Sequence, residues 1–193
     1  MMSAVNALFN HPGLRSFLVR MRVPLAIAIA AVVIAYADLR WLWPALAVSM
    51  AGELIQLWCF ATLDKNSSLA CRGPYAIVRN PMYLGRFFIL GGALMLLGQP
   101  WLLVLYAVVY WFYMVNRVGR EERRLREVLG APYAEYCAGT SRFLPGAPYR
   151  GEPVLVWDWA LFRQNHGWQN FAGTAAFWIA AIVWLATRAG GAG

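Results

Sequence analysis

The hydrophobic positions of this chain fall into long runs that short polar or charged stretches separate. A helix needs about 20 apolar residues to cross a bilayer, with about 17 as a lower limit. The runs predict five membrane-spanning helices, at about residues 23–37, 41–63, 82–98, 101–116 and 171–187. The predicted fold class is therefore all-α, with residues 1–193 forming one polytopic membrane domain and Pro24 at the start of the first, shortest span.

The third apolar run is too long to be one spanning helix. No formally charged residue occurs from Phe87 to Asn116, and at about 1.5 Å per residue a straight helix of this length would measure about 45 Å, against a hydrocarbon core of about 30 Å. The sequence GQPW at residues 98–101 interrupts the run, and glycine followed closely by proline is a helix-stop signal. The run therefore predicts a helical hairpin, with Arg86 one turn inside its first arm.

The basic residues predict the orientation of the bundle. They precede the first span, separate the second from the third and follow the fourth, at Arg15, Arg20, Arg22, Lys65, Arg72, Arg79, Arg117, Arg120, Arg123, Arg124 and Arg126. Because cytoplasmic loops carry an excess of basic residues, we expect a cytoplasmic N-terminus and a cytoplasmic segment at residues 117–166. The charged part of that segment is predicted to be helical as far as Gly130, a C-cap residue.

Composition agrees with a membrane protein and argues against a nucleic-acid-binding one. The chain is 61% hydrophobic and 13% charged, with a mean hydropathy of +0.50. Its net charge of +8 is not arranged as a basic stripe with interleaved aromatic residues. Sixteen arginines against the single Lys65 indicate a GC-rich, bacterial coding sequence and hence a bacterial inner membrane. The oligomeric state stays open.

The N-terminal region has a second interpretation. A basic stretch, an apolar run and the sequence AYA at residues 35–37 resemble a signal peptide with its cleavage site. Because the next apolar run follows after only a few residues, retention as a first span is the simpler interpretation.

The stretch GPYAIVRNPMYLG, residues 73–85, concentrates polar and backbone-bending residues between two apolar runs. Pro81 suits the first position of a helix, whose free amides and positive dipole end would lie beside Arg79. Such a helix start with an arginine can bind a carboxylate or a phosphate. The alternative is an ordinary loop in which Arg79 contacts lipid headgroups while Tyr75 and Tyr83 anchor it at the interface.

Glu121 and Glu122 follow the fourth span directly. Adjacent helical residues point about 100° apart, so one carboxylate can face a cavity while the other pairs with arginines. Arg117 lies four residues before Glu121, and Arg126 lies four residues after Glu122. These are favourable ion-pair spacings, so a solvated, salt-bridged helix is the alternative.

Glu53 and Gln56 lie inside the second span, three residues apart and therefore on one helix face. An ionisable group at this depth is costly and is a functional candidate by default. We consider Glu53, Gln56 and Arg86 as candidate substrate contacts. Equally, Glu53 can form an interhelical hydrogen-bond clamp or pair with Arg86.

Five features follow one another along the chain: GPYAIVRNPMYLG, the hairpin, REERRL, LGAPYAEY and RFLP. In this order they resemble integral-membrane methyltransferases of the isoprenylcysteine carboxyl methyltransferase and phospholipid methyltransferase group. The resemblance covers residues 53–145, about half of the chain. The usual first motif of that group is Arg-His-Pro-x-Tyr, and Asn80 stands at the histidine position here. Asparagine retains a donor and an acceptor but cannot gain a proton near neutral pH, so hydrogen bonding to a ligand survives the change and proton transfer does not.

The resemblance implies an enzyme that binds S-adenosylmethionine between the hairpin and the cytoplasmic segment. It implies an acceptor that enters from the bilayer, either an isoprenylcysteine-type carboxylate or a phospholipid amine. The implied cofactor-binding residues are Gly73, Tyr75, Arg79, Asn80, Pro81, Tyr83, Gly85, Glu121 and Glu122, of which Arg79, Asn80, Glu121 and Glu122 are the predicted catalytic residues.

Two further statements complete the sequence-based prediction. We find no zinc motif, no Ser/His/Asp set and no phosphate-cradling glycine loop, so no metal site is predicted. The alternative function is a non-enzymatic membrane protein whose basic cytoplasmic face binds anionic lipid or a protein partner.

Overall fold

The computed structural model describes residues 12–64 and 69–191, and Lys65 lies outside them. In the described residues the chain forms helices and connecting loops without a β-strand, which confirms the all-α fold class. The helices are α1 (Pro12–Ala35), α2 (Leu42–Phe60), α3 (Pro74–Ile77), α4 (Pro81–Met95), α5 (Pro100–Leu129), α6 (Ala131–Gly139), α7 (Trp159–Gln164) and α8 (Gly167–Gly190), with 3₁₀ turns at Leu39–Trp41 and Tyr149–Gly151.

Three helical segments of the described chain are long and apolar enough to cross a bilayer. They are Leu39–Phe60, Pro100–Leu129 and Gly167–Gly190, and α4 is a shorter apolar helix. These segments support an integral membrane protein. The count of five spans and their limits stay predictions.

Two helices extend beyond the ends that the apolar runs predicted. α1 begins at Pro12, so Pro24 lies in its interior and not at its start. α5 continues to Leu129 without a break at Asn116. The end of an apolar run marks where a helix can leave the hydrocarbon, whereas arginine, glutamate and leucine continue the helical hydrogen bonding. Gly130, with φ of 61°, ends α5 as predicted.

The predicted hairpin is confirmed at the predicted interruption. α4 ends at Met95, α5 begins at Pro100, and Gly98 between them has φ of 61°, which favours glycine. Two tyrosine hydroxyls of α5 donate to backbone carbonyls of α4, Tyr106 to Phe87 at 2.9 Å and Tyr110 to Tyr83 at 2.6 Å. These bonds set which residues of the two arms lie opposite each other.

α2 and α4 approach so closely that their contact requires glycine. A Cβ atom added to Gly52 would lie 2.6 Å from the carbonyl oxygen of Gly85, and one added to Gly92 would lie 2.6 Å from that of Ala45. Small residues that let two backbones meet are typical of membrane helix pairs, where dispersion contacts replace the hydrophobic effect. The close contact of α2 with α4 therefore fixes the position of the first arm of the hairpin.

α8 docks on α2 through buried polar groups. The carboxylate of Glu53, which is 1% exposed, accepts hydrogen bonds from Asn170 and Thr174 of α8, both at 2.8 Å. One helical turn away, the indole of Trp178 donates to Ser49 at 2.9 Å. Glu53 thus forms an interhelical clamp, one of the interpretations that the sequence left open.

The glycine contact predicts that two chemically identical substitutions change the free energy of unfolding very differently. Gly52→Ala should lower the free energy of unfolding by about 1–3 kcal/mol, because the added methyl group forces the α2 and α4 backbones apart. Gly119→Ala is the control, since a Cβ at this α5 position meets nothing within 4 Å. It should raise stability by about 0.5–1 kcal/mol. Unfolding monitored in detergent by circular dichroism measures both, and an equal effect of the two changes would contradict the packing argument.

Candidate active site

One buried carboxylate joins three separate segments of the chain. Glu122 of α5 accepts hydrogen bonds at Oε1 from Arg79 Nε (3.1 Å) and Asn80 Nδ2 (3.3 Å), and at Oε2 from Arg142 Nη2 (2.5 Å). The side chains of Arg79 and Glu122 are 10% and 4% exposed, and that of Arg142 is 39% exposed. Two guanidinium groups beside a desolvated carboxylate favour its ionised form. We call Glu122 and its three partners the Glu122 network.

Arg79 also holds the end of α6. Its Nη1 donates to the carbonyl oxygens of Cys137 and Thr140, both at 2.6 Å. The last carbonyl groups of a helix have no partner within it and carry the negative end of its dipole, so a cation suits this position. The backbone adds a further tie, because the amide of Arg79 donates to the carbonyl oxygen of Ser141 at 2.9 Å.

The structure separates the two adjacent glutamates. Glu122 points into the network, whereas Glu121 is exposed, lines a cavity and accepts a hydrogen bond from the Tyr83 hydroxyl at 3.0 Å. The spacing had suggested Arg126 as the partner of Glu122, and this was wrong: its partners are Arg79 and Arg142. A four-residue spacing describes neighbours on an exposed helix surface, and here α5 is covered by other segments on that side.

The cavity that Glu121 lines combines polar groups with aromatic rings. Its volume is about 340 Å³, within the range of about 300–1,000 Å³ for small-molecule sites. We call it the polar cavity. It is lined by Leu63, Asp64, Leu69, Ala70, Tyr75, Arg79, Asn80, Met82, Tyr83, Glu121, Leu125, Leu129, Tyr133 and Tyr136.

Three tyrosines of the polar cavity are donors or ring surfaces and not proton acceptors. Burial raises the pKa of Tyr75, Tyr133 and Tyr136 above the ordinary value, so each phenol stays protonated at neutral pH. The Tyr136 hydroxyl donates to the carbonyl oxygen of Tyr75 at 2.6 Å, which ties α6 to α3. The rings of Tyr75 and Tyr133 therefore provide fixed surfaces for a planar or cationic ligand group.

A second cavity lies beside the first and is almost wholly apolar. Its volume is about 270 Å³, and it is lined by Asn80, Leu84, Phe87, Ala107, Tyr110, Trp111, Met114, Phe143 and Leu144. We call it the apolar cavity. Its lining residues Trp111 and Leu144 are 52% and 76% exposed on the outer surface of the bundle. Asn80 lines both cavities.

The structure brings together only some of the residues that the sequence suggested. Five of them line the polar cavity: Tyr75, Arg79, Asn80, Tyr83 and Glu121. Glu122 is not a lining residue but accepts a hydrogen bond from Arg79, which is.

The remaining candidates lie elsewhere. Pro81 is buried at the first turn of α4, and Gly73 and Gly85 are packed against Thr62 and Gln56 respectively. Glu53 is clamped to α8, the buried Gln56 adjoins α4, and Arg86 lines a different groove. None of these six belongs to the described lining of the polar cavity.

Arg142 belongs to the Glu122 network but was not among the site residues predicted from the sequence. It pairs with Glu122, and its backbone carbonyl accepts from Asn80 Nδ2 at 3.3 Å. The signal was present, because Arg142 begins the sequence RFLP that contributed to the resemblance. Its partner lies twenty positions away in the chain, a separation that local spacing rules do not address.

The chain belongs to the phospholipid methyltransferase family, whose model matches residues 25–131. That range contains Arg79, Asn80, Glu121 and Glu122, and it ends before Arg142. The family therefore accounts for two of the three segments that the Glu122 network joins.

Among curated relatives, the chain is similar to protein-S-isoprenylcysteine O-methyltransferases. It is 32% identical over 102 residues to that of Schizosaccharomyces pombe, across 53% of this chain and 43% of the relative. It is 30% identical over 86 residues to form B of Arabidopsis thaliana (45% and 42%) and 32% over 91 residues to that of Saccharomyces cerevisiae (47% and 38%). The chain thus matches less than half the length of these three relatives. No solved structure matches it at a significant level.

Because Glu121 and Glu122 have different surroundings, we expect their replacement by alanine to lower the free energy of unfolding by different amounts. Glu122→Ala leaves two guanidinium groups without their carboxylate and should lower the free energy of unfolding by about 3 kcal/mol, the low end for a broken buried ion pair because Arg142 is partly exposed. Glu121→Ala removes one hydrogen bond at an exposed position and should cost about 1 kcal/mol. Denaturation in detergent followed by tryptophan fluorescence compares the two variants. Equal losses would mean that Glu122 is not the central group of the network.

Proposed function

We propose that this protein transfers a methyl group from S-adenosylmethionine to a lipid-like acceptor, either an isoprenylcysteine-type carboxylate or a phospholipid amine. The observation that carries the proposal is that Asn80 lines both the polar and the apolar cavity. A polar cofactor and an apolar acceptor can each occupy the cavity that suits it and still meet. The names of the similar proteins support the reaction class.

The groups that line the polar cavity suit the chemistry of this cofactor. Among the described contacts of Arg79, Nε and Nη1 are engaged, which leaves Nη2 to bind the cofactor carboxylate. The Glu121 carboxylate can accept from ribose hydroxyls or from the ammonium group. Tyr75 and Tyr133 offer ring faces to the adenine or the sulfonium. When bound, the cofactor would supply an electrophilic methyl group on sulfur.

In this proposal Glu122 positions other residues and does not touch the ligands. Its two oxygens already accept three hydrogen bonds from Arg79, Asn80 and Arg142. Glu122 fixes Asn80 at the junction of the cavities, so orientation and exclusion of water would be the main contributions to the rate.

Glu121 is the carboxylate that could accept a proton, which an amine acceptor requires and a carboxylate acceptor does not. It is exposed in the polar cavity and makes a single described hydrogen bond, from Tyr83. The identity of the acceptor therefore decides whether Glu121 is needed for chemistry or only for cofactor binding.

We further propose that the N-terminus lies in the cytoplasm of a bacterial cell, so that both cavities open toward the inner leaflet of its inner membrane. The basic residues before the first span and after the fourth support this orientation. The alternative function, binding of anionic lipid or a partner without catalysis, needs neither a preformed polar cavity nor an apolar one beside it.

Cofactor binding tests the polar cavity directly. Titration calorimetry of the full chain in detergent should give saturable binding of S-adenosylmethionine, and Glu121→Gln should weaken it about tenfold or more, because a hydrogen bond to a charged group contributes about 1.5–3 kcal/mol. The matched control is Glu127→Gln, an exposed glutamate on α5 that is not among the lining residues. Absence of binding at millimolar cofactor would overturn the proposal and leave the non-enzymatic alternative.

Blocking the apolar cavity should affect the acceptor and not the cofactor. Ala107→Trp fills that cavity and should raise the KM for a farnesylcysteine acceptor or for phosphatidylethanolamine, whichever is the substrate, while cofactor affinity is unchanged. Val104→Trp, which is 65% exposed on the same helix and does not line the cavity, controls for an added indole. Transfer of a labelled methyl group over a series of acceptor concentrations measures the KM. An unchanged KM for Ala107→Trp would exclude the apolar cavity as the acceptor site.

A further inference from the structure

A third concave surface lies on the outside of the hairpin and is separate from both cavities of the proposed active site. Its volume is about 350 Å³, and it is lined by Arg86, Leu90, Tyr106, Val109, Tyr110 and Tyr113. We call it the lateral groove. Only Tyr110 is shared with the apolar cavity, so the two lie on different sides of the contact between α4 and α5.

Arg86 is the charged residue of the lateral groove, and its position is unusual. It is exposed on the apolar helix α4, five residues after Pro81, or about 7.5 Å along the helix axis. A charged side chain at this depth is costly unless it reaches the headgroup region or meets an opposite charge. Such a residue marks a functional position by default.

Among the described residues Arg86 has an aromatic neighbour but no acidic ion-pair partner. Its guanidinium carbon lies 5.8 Å from the centre of the Tyr83 ring, and no carboxylate in the described part of the chain forms an ion pair with it. The hydroxyl of Tyr83 donates to Glu121 at 3.0 Å, so this carboxylate is engaged by the tyrosine hydroxyl. The positive charge of Arg86 is therefore available to an anion from outside the described part of the chain.

The lateral groove has a charged end and an apolar end. Arg86 lies near the start of α4, and Leu90 lies one helical turn further toward the turn of the hairpin. The hydroxyls of Tyr110 and Tyr106 donate to the carbonyl oxygens of Tyr83 and Phe87. The hydroxyls of Tyr106 and Tyr110 are used in these bonds, so their rings are what the groove presents. Leu90 and Val109 are 50% and 48% exposed along it.

From this arrangement we propose that the lateral groove binds one anionic phospholipid as a bound, non-reacting partner. The phosphate and the net negative headgroup would pair with Arg86, and one acyl chain would lie on Leu90, Val109 and the tyrosine rings. Aromatic and aliphatic surface suits a hydrocarbon chain, and guanidinium suits a phosphate. The proposal does not depend on methyl transfer, because the site shares neither Asn80 nor Glu121 with the polar cavity.

The test is native mass spectrometry of the full chain in a neutral detergent with added lipid. Dioleoyl-phosphatidylglycerol should bind with one preferred site, more tightly than dioleoyl-phosphatidylcholine. Arg86→Gln should weaken phosphatidylglycerol binding about fivefold, since one arginine near an anionic lipid contributes about 1 kcal/mol. Free glycerol 3-phosphate should not compete at equal concentration, because it lacks the chain that the apolar part of the groove holds.

Two further variants separate this site from general attraction to a basic protein. Arg124→Gln removes an exposed arginine from the cytoplasmic end of α5 outside the groove and should leave the preferred site unchanged. Val109→Trp fills the groove without changing charge and should reduce occupancy as Arg86→Gln does. Equal losses from Arg124→Gln and Arg86→Gln, or full occupancy in Val109→Trp, would overturn the proposal, as would competition by glycerol 3-phosphate alone.

Discussion

The arrangement of the candidate site depends on the buried carboxylate of Glu122. Three segments that are distant in sequence meet at its two oxygens: the turn before α4, helix α5 and the loop after α6. A buried carboxylate with fewer partners would be strongly unfavourable, so each arginine and the asparagine amide offset part of its desolvation. The same contacts place the guanidinium of Arg79 against the end of α6 and hold Asn80 between two cavities.

This constraint gives different chemical roles to neighbouring residues. Glu122 is enclosed and its hydrogen-bonding capacity is largely used within the protein, whereas Glu121 is left to face the polar cavity. Asn80 uses its amide nitrogen to hold its position. Both partners of that nitrogen can only accept hydrogen bonds, which fixes the orientation of the amide. Asparagine is therefore sufficient at this position for a positioning role, which needs no titrating group.

The features that could be predicted from the sequence are those set by local physical rules. The hairpin follows from the length of the apolar run and from Gly98 and Pro100, and the end of α5 follows from Gly130. The continuation of α5 past Asn116 could not be predicted from hydropathy, because leaving the membrane does not end a helix. The 100° between Glu121 and Glu122 indicated that they would differ, and only packing decides which of them is enclosed.

Long-range pairing accounts for most of what remained unpredicted. Arg142 and Glu122 are twenty residues apart, and Arg79 and Glu122 are forty-three apart, so spacing along one helix directed attention to Arg126 instead. Glu53 shows the same limit: its position inside a span drew attention to it, but its partners Asn170 and Thr174 belong to a helix at the other end of the chain.

The proposed function requires that the polar and apolar cavities, which share Asn80 as a lining residue, hold two ligands side by side. The most direct measurement is the affinity of one molecule that joins S-adenosylhomocysteine to a long alkyl chain, compared with S-adenosylhomocysteine alone. Because the second part binds at high effective concentration, the joined molecule should bind about 100-fold or more tightly, and a tryptophan at position 107 should abolish the gain. Equal affinity for the joined molecule and for S-adenosylhomocysteine would contradict the claim.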